Sequence, residues 1–275
     1  MLVIPIIDDN LLANSDRVTL LQLTDPHLFD QPSKTLLGVN TWDSFNAVID
    51  AALSHTFDAV VLSGDVSQDY SSQSYRACAD ALARLNKPTM VLPGNHDELV
   101  KLREHLVGSN VFHSEVVNIG GWGLHMLDST TGESPGGRLG SSRTRRMLDN
   151  IQSSTQDWQM LFLHHNPVKT GSAWLDNHWL ADGQEFLAEL EKQPKVRGVA
   201  WGHVHQEMDL AHQHIRLMAS PACCIQFLPN SQTFALDTLQ PGFRLLHLYR
   251  DGSIETQVYR LPGQAFIADP DAQGY

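Results

Sequence analysis

The sequence predicts an α/β fold: parallel strand–helix units first, antiparallel strands later, with sheets packed together and helices outside. Three observations predict it. Short apolar runs alternate with helix-period segments from Val18 to Leu92. The C-terminal part instead carries strand candidates joined by a tight-turn signal, Asp251-Gly252. The 275 residues hold no repeat, low-complexity tract or long linker, so one large domain fits better than two.

VTLLQL (Val18 to Leu23) reads as a buried strand ending in the loop TDPH. Thr41 is placed to cap a helix whose apolar face is Trp42, Phe45, Val48, Ile49, Ala52 and Leu53. AVVLS (Ala59 to Ser63) is a second strand, and a helix follows through Tyr75, Cys78, Ala79, Leu82 and Leu85. TMVL (Thr89 to Leu92) is a third strand, which gives a parallel sheet with right-handed crossovers. VVNI and WGLHML flank Gly120-Gly121 as a hairpin. The Gly- and Ser-rich stretch from Ser129 to Ser142 is a surface loop or a substrate lid. A helix with Arg143, Arg145 and Arg146 comes next, its arginines read as a solvated face. QMLFL ends in His164-His165, a helix spans Glu185 to Glu191, and VRGVAW ends in GHVH. IRLMA, FRLLHLYR and SIETQVYRL are the antiparallel candidates.

The apolar run Leu2 to Ile7 is too short for a signal-peptide core. Residues 1–15 read as a surface extension and 16–275 as the single domain. No stretch approaches a membrane span.

At 42% hydrophobic and 18% charged residues, the chain can bury a sizeable core without staples. Its three cysteines are Cys78 and the adjacent pair Cys223 and Cys224, which do not bridge without strain. A reducing compartment, the cytoplasm, suits this usage. A formal net charge of −12 argues against nucleic-acid binding. An anionic substrate therefore needs a local positive centre, which bound metal supplies.

Fourteen histidines is the unusual count. His55, His105, His113, His125, His178, His212, His214 and His247 fall in no pattern and read as surface or satisfied rings. The other six sit beside Asp, Asn or Gly at strand ends. Five patterns occur in order: Asp25-x-His27, Gly64-Asp65, Gly94-Asn95-His96-Asp97, His164-His165-Asn166-Pro167 and Gly202-His203-x-His205. Ligands of α/β sheets bind beyond the carboxyl ends of strands, so five distant segments converge on one rim. Carboxylate, imidazole and amide oxygen suit Mn, Fe, Zn or Co, and no cysteine belongs to the set.

The ordered set resembles the calcineurin-like metallophosphoesterase superfamily from Asp25 to His205. LLGVNTWDSF, GDVSQD, ASPACCIQFLPNSQTFALD and PGFRLLHLYRDGSIET are similar to the class III bacterial 3′,5′-cyclic-AMP phosphodiesterases. The resemblance implies a β-sandwich of two mixed sheets flanked by helices, in αββα layers. It implies two divalent ions, Fe or Mn first, with Zn or Co as alternatives. Asp25, His27, Asp65 and His205 would hold one ion; Asp65, Asn95, His164 and His203 the other, with Asp65 bridging. Where the family often has HHPP, this chain has Asn166 third; the proline at the fourth position favours His164 as ligand, with His165 supporting the ligands from behind or forming the pocket wall. The substrate side would be His27, Asn95, His96, His165 and His205. His96 and Asp97 would be the catalytic pair: His96 stabilises charge or protonates the leaving oxygen, and Asp97 orients His96 or caps the next helix. The implied activity is hydrolysis of cyclic AMP to 5′-AMP. Another phosphate ester, a non-catalytic scaffold or a nuclease are the alternatives, the last disfavoured by charge. Oligomeric state stays open.

Overall fold

The computed structural model describes residues 5–7, 15–132, 134–272 and 274. The chain opens with β1 (Ile6–Ile7) and β2 (Arg17–Leu23); a hairpin of β3 (Thr35–Leu36) and β4 (Val39–Asn40) leads into α1 (Thr41–Ala52). Next come β5 (Ala59–Ser63), α2 (Ser72–Ala83), β6 (Thr89–Leu92), α3 (Leu99–His105) and β7 (Val111–Phe112). The middle runs through β8 (Val116–Ile119), β9 (Trp122–Leu127), α4 (Gly140–Ser153), β10 (Trp158–Leu163), α5 (Gly183–Leu190) and β11 (Val196–Trp201). The last part holds β12 (Met208–His212), β13 (Ile215–Ala219), β14 (Gln226–Phe227), β15 (Leu236–Asp237), β16 (Gly242–Tyr249) and β17 (Ile254–Arg260).

Two mixed sheets result. One has the order β1-β8-β9-β10-β11-β13-β12, the other β17-β16-β2-β5-β6-β7. Neighbours β9, β10, β11 and β13 are parallel, as are β2, β5, β6 and β7; β8, β12, β16 and β17 join antiparallel.

Strand side chains alternate between faces, so each apolar run serves two layers. Leu20, Val61, Met90, Trp122, Leu124 and Phe162 fill the space between the sheets. Leu21, Leu23 and Leu62 point the other way, onto α1 and α2 through Phe45, Val48, Tyr75 and Leu82. Leu161, Leu163 and Val199 pack on α4 and α5 through Met147, Ile151 and Phe186. The layers are therefore αββα. A one-residue register slip in β10 would exchange both of its buried faces at once.

Three local expectations need correction. Asn40, not Thr41, caps α1: its side chain accepts the Asp43 N–H at 3.0 Å. Leu53 lies past the helix end and is 47% exposed, so the buried face stops at Ala52. The N-terminal extension is not wholly a tail. Ile6 and Ile7 pair in parallel with Asn118 and Ile119 of β8, and Ile7 is buried in the inter-sheet core. Residues 1–4 and 8–14 of that stretch lie outside the described residues.

Candidate metal centre

β2, β5 and β6 of one sheet and β10 and β11 of the other end at the same rim. All five motifs sit in the loops just beyond them. The backbone there is contorted. Asp25, His27, Asp65, His203 and His205 all have positive φ, between 47° and 64°. Non-glycine residues adopt that region rarely and at a cost of about 1–3 kcal/mol each. Two glycines make the convergence possible: a Cβ on Gly94 would run into the Asp65 carboxylate, and one on Gly202 into Thr24 and Asp25.

The outer nitrogens of three rings are fixed by groups that accept. The His205 Nδ1–H donates to the Ile225 carbonyl at 2.9 Å, and the His164 Nδ1–H to the Ser63 carbonyl at 2.9 Å. The His27 Nδ1 stands 2.6 Å from Gln68 Oε1. Each Nε2 is thereby left to face inward, the arrangement that orients histidine on a metal.

The inward atoms form two groups that share one residue. Ligand atoms of Asp25, His27 and Asp65 lie within 4.8 Å of one another, as do those of Asp65, His164 and His203. His205 adjoins the first group, its Nε2 3.4 Å from Asp25 Oδ1 and 3.3 Å from His27 Nε2. In the second group His164 Nε2 stands 3.2 Å from Asp65 Oδ2. Asn95 Oδ1 and His203 Nε2 are buried with no hydrogen-bond partner among the described residues. Buried polar atoms left without partners are costly, so a convergent set of them fits cations. The donor set is oxygen and imidazole nitrogen, as divalent first-row metals require.

Electrostatics agree. Burial works to raise Asp65, yet the His164 and His96 rings hold it well below the usual carboxylate range. Burial pushes His27 down to about 3, and burial with the His164 ring does the same to His203, so both rings are neutral. His164 differs: burial opposes its charge, but Asp65 and Asp25 lift it to about 9. Without metal a proton stands where the carboxylates would attract a cation.

Other expected residues fall elsewhere. His165 is turned away from the centre: Nδ1 meets Ser129 Oγ at 2.8 Å and Nε2 the Pro135 carbonyl at 3.2 Å. Both its nitrogens are occupied, so it docks the Ser129–Pro135 stretch and has none left for substrate. Asp97 neither caps α3, which starts after Glu98 without a side-chain cap, nor faces the rim. Its carboxylate accepts the N–H groups of Val66, Ser67 and Gly94 at 2.9–3.2 Å. That ties the Asp65 loop to the Asn95 loop. His96 is half-buried at the rim. Its N–H donates to Asp65 Oδ1 at 2.7 Å and its ring meets His27 edge-on with centroids 5.1 Å apart.

Several supporting groups carried no signal in the sequence. Thr24 Oγ donates to Asp25 Oδ2 at 2.6 Å. Phe227 stacks on His205 with centroids 4.4 Å apart. Cys224 offers a sulfur near His27 and His205, but burial holds the thiol protonated, its pKa well above the ordinary value, and it points at the Asp25 carbonyl, 3.1 Å away. Gln68 lies in the quoted GDVSQD run, where its spacing from Asp65 was the available clue.

A family model described as calcineurin-like phosphoesterase matches residues 18–207. The chain is 41% identical over 270 residues to the 3′,5′-cyclic adenosine monophosphate phosphodiesterase CpdA of Vibrio vulnificus, covering 97% of this chain and 98% of that one. It is 39% identical to the protein of the same name from Escherichia coli strain K12, covering 96% and 97%. Among solved structures it resembles a dimetal phosphatase from Danio rerio, with a TM-score of 0.57, 14% identity, and coverage of 88% of this chain and 98% of that chain. That likeness concerns the fold.

Proposed function

Because the chain belongs to the calcineurin-like phosphoesterase family, we propose that it hydrolyses 3′,5′-cyclic AMP to 5′-AMP at the rim around Asp65. The observation that carries the chemistry is the sharing of Asp65 between two acceptor groups. The substrate comes from relatives so named that align over nearly the whole chain.

Asp25, His27, Asp65 and His205 would hold one divalent ion, and Asp65, Asn95, His164 and His203 the other. Fe and Mn are the favoured metals, Zn and Co the alternatives. Bound ions supply Lewis-acid polarisation of phosphoryl oxygens and a lowered water pKa, from about 15.7 to near 7.

Hydrolysis adds water across the P–O3′ bond, the hydroxyl going to phosphorus and the proton to O3′. Two bound dications would outweigh the charges of Asp25 and Asp65, so a loaded centre would attract a diester despite the acidic surface. His96, at the rim beside His27, is the group placed to meet the phosphate and to give the leaving oxygen its proton. His27, Asn95 and His205 border the same space. Asp97 acts by fixing the loops of Asp65 and Asn95, and His165 by holding the Ser129–Pro135 stretch.

The three cysteines are free and buried, as a reducing compartment such as the cytoplasm allows. Among the described residues no helix is long and apolar enough to cross a membrane.

The test is chromatographic: incubate the protein with 3′,5′-cyclic AMP and Mn²⁺ or Fe²⁺ and look for 5′-AMP. Chelator-sensitive conversion supports the reading. Cleavage of bis(4-nitrophenyl) phosphate without cyclic AMP conversion keeps the metal centre and discards the substrate. Inactivity on both returns the scaffold reading.

A further inference from the structure

A cleft of about 310 Å³ lies between α3, α4 and the edges where β6 and β9 meet. Arg103 of α3 and Arg143 and Arg146 of α4 line it, opposed by Glu115 and Asp128. Three guanidiniums against two carboxylates leave a local excess of positive charge on a chain whose net charge is −12.

Arg103 and Arg146 keep donors without a partner among the described residues. Arg146 gives Nη1 to Glu115 at 2.7 Å, and its other donors have no partner among the described residues. Arg103 has no hydrogen bond or ion pair there. Arg143 gives Nη1 to the carbonyls of Thr130 and Arg138 and sets Nη2 3.4 Å from Asp128. Arg143 and Arg146 stand one helical turn apart, where like charges repel. Arg145, between them, faces solvent and does not line the cleft. The helix face is solvated, as expected, while Arg143 and Arg146 also line the cleft.

The floor is apolar except for His125. Gln159 Nε2 donates to Ser154 Oγ and the Gln156 carbonyl, which fixes its Oε1 toward His125 Nε2 at 2.7 Å. Nε2 therefore carries the proton, and the buried Nδ1 is an acceptor without a partner among the described residues. Burial keeps the ring neutral, its pKa lowered. His113, on the wall, is likewise lowered by burial and bonds the Leu106 carbonyl at 2.8 Å.

We propose that this cleft binds a phosphate monoester, its phosphoryl group on Arg103 and Arg146 and its organic part filling the rest of the cleft. Guanidinium forks match phosphoryl oxygens, and the volume exceeds what a bare phosphate needs. Two cleft residues lead straight to the metal centre. Pro93 precedes Gly94 and Asn95, and Asp128 precedes Ser129, which bonds His165. Occupancy is therefore expected to change turnover. The proposal does not rest on the substrate assigned above.

Calorimetric titration of the Mn²⁺-loaded protein with 5′-AMP, and with inorganic phosphate, tests it. Two binding events per chain are expected for 5′-AMP. The double variant Arg103→Ala, Arg146→Ala should lose one of them, weakened tenfold or more, while unliganded turnover of bis(4-nitrophenyl) phosphate is unchanged. Arg145→Ala should keep both events. His164→Ala should lose the other event and keep the cleft's, which separates this site from the metal centre. A single event in the parent protein, or unchanged binding in the double variant, overturns the proposal. Phosphate binding in the cleft as tightly as 5′-AMP would overturn the role given to the organic part.

Discussion

His27 and His205 bring their Nε2 atoms to 3.3 Å, although each ring commits its Nδ1 elsewhere, to Gln68 and to the Ile225 carbonyl. Two inward lone pairs at that distance repel unless a proton or a metal cation lies between or beside them. A bound cation would take both, so loading is expected to stabilise the fold.

Metal removal should therefore lower stability. A ligand at a hundredfold excess over its Kd stabilises by about 2.7 kcal/mol per site. In a domain of this size that corresponds to a fall in Tm of about 5–10 °C for each ion that the chelator removes. Differential scanning fluorimetry with and without chelator, then with added Mn²⁺, checks it. A Tm indifferent to both would contradict stabilisation by bound metal.

The metal-free protein should show a particular pH dependence through His164. Its folded pKa, about 9, lies above the ordinary 6.5, so it contributes stability fully present below pH 6.5 and lost as pH rises through 9. His164→Gln lacks that contribution. The stability gap between parent and variant, at most about 3 kcal/mol, should close between pH 6.5 and 9 in urea unfolding of chelated protein. A gap that widens with pH would contradict the role of Asp65 and Asp25.

The adjacent histidines should separate cleanly. His164→Ala removes a ligand atom facing Asp65 and is expected to lower turnover about a hundred- to a thousandfold, on the scale of losing a catalytic electrostatic group. His165→Ala strands the Ser129 hydroxyl and the Pro135 carbonyl, at about 1–3 kcal/mol of stability. It should nevertheless keep two ions per chain by elemental analysis. Loss of metal in His165→Ala would reverse the assignment.

The strand ends and the motif residues on them were legible because apolar runs and polar motifs adjoin in sequence. The supporting partners were not. Nothing local says that the Ser63 carbonyl faces His164, a pair that forms only when the two sheets stack, or that the Ile225 carbonyl faces His205, 20 residues away. Asn40 and Thr41 are both good caps, and adjacent candidates differ by less than sequence can resolve. Ile6–Ile7 is too short a run to show any period. The helical face of Arg143 and Arg146 could be read from their spacing, but the cleft beneath it depends on β6 and β9 meeting.

Asp97 provides the sharpest distinction between holding a site and working in it. Its carboxylate gathers three backbone N–H groups from the loops that carry Asp65 and Asn95. Asp97→Ala leaves them without that acceptor and lets the loops separate. Metal affinity should fall about 10–100-fold, as when supporting partners of ligands are lost. Asp97→Asn keeps one acceptor oxygen but turns an amide donor toward a backbone donor, so it should fall part of the way. For a positioning residue, saturating Mn²⁺ should restore most of the kcat in Asp97→Asn. For a proton-transferring residue, kcat would stay low with the ions fully bound. Metal titrations monitored by turnover, with bound metal measured independently, decide between the two.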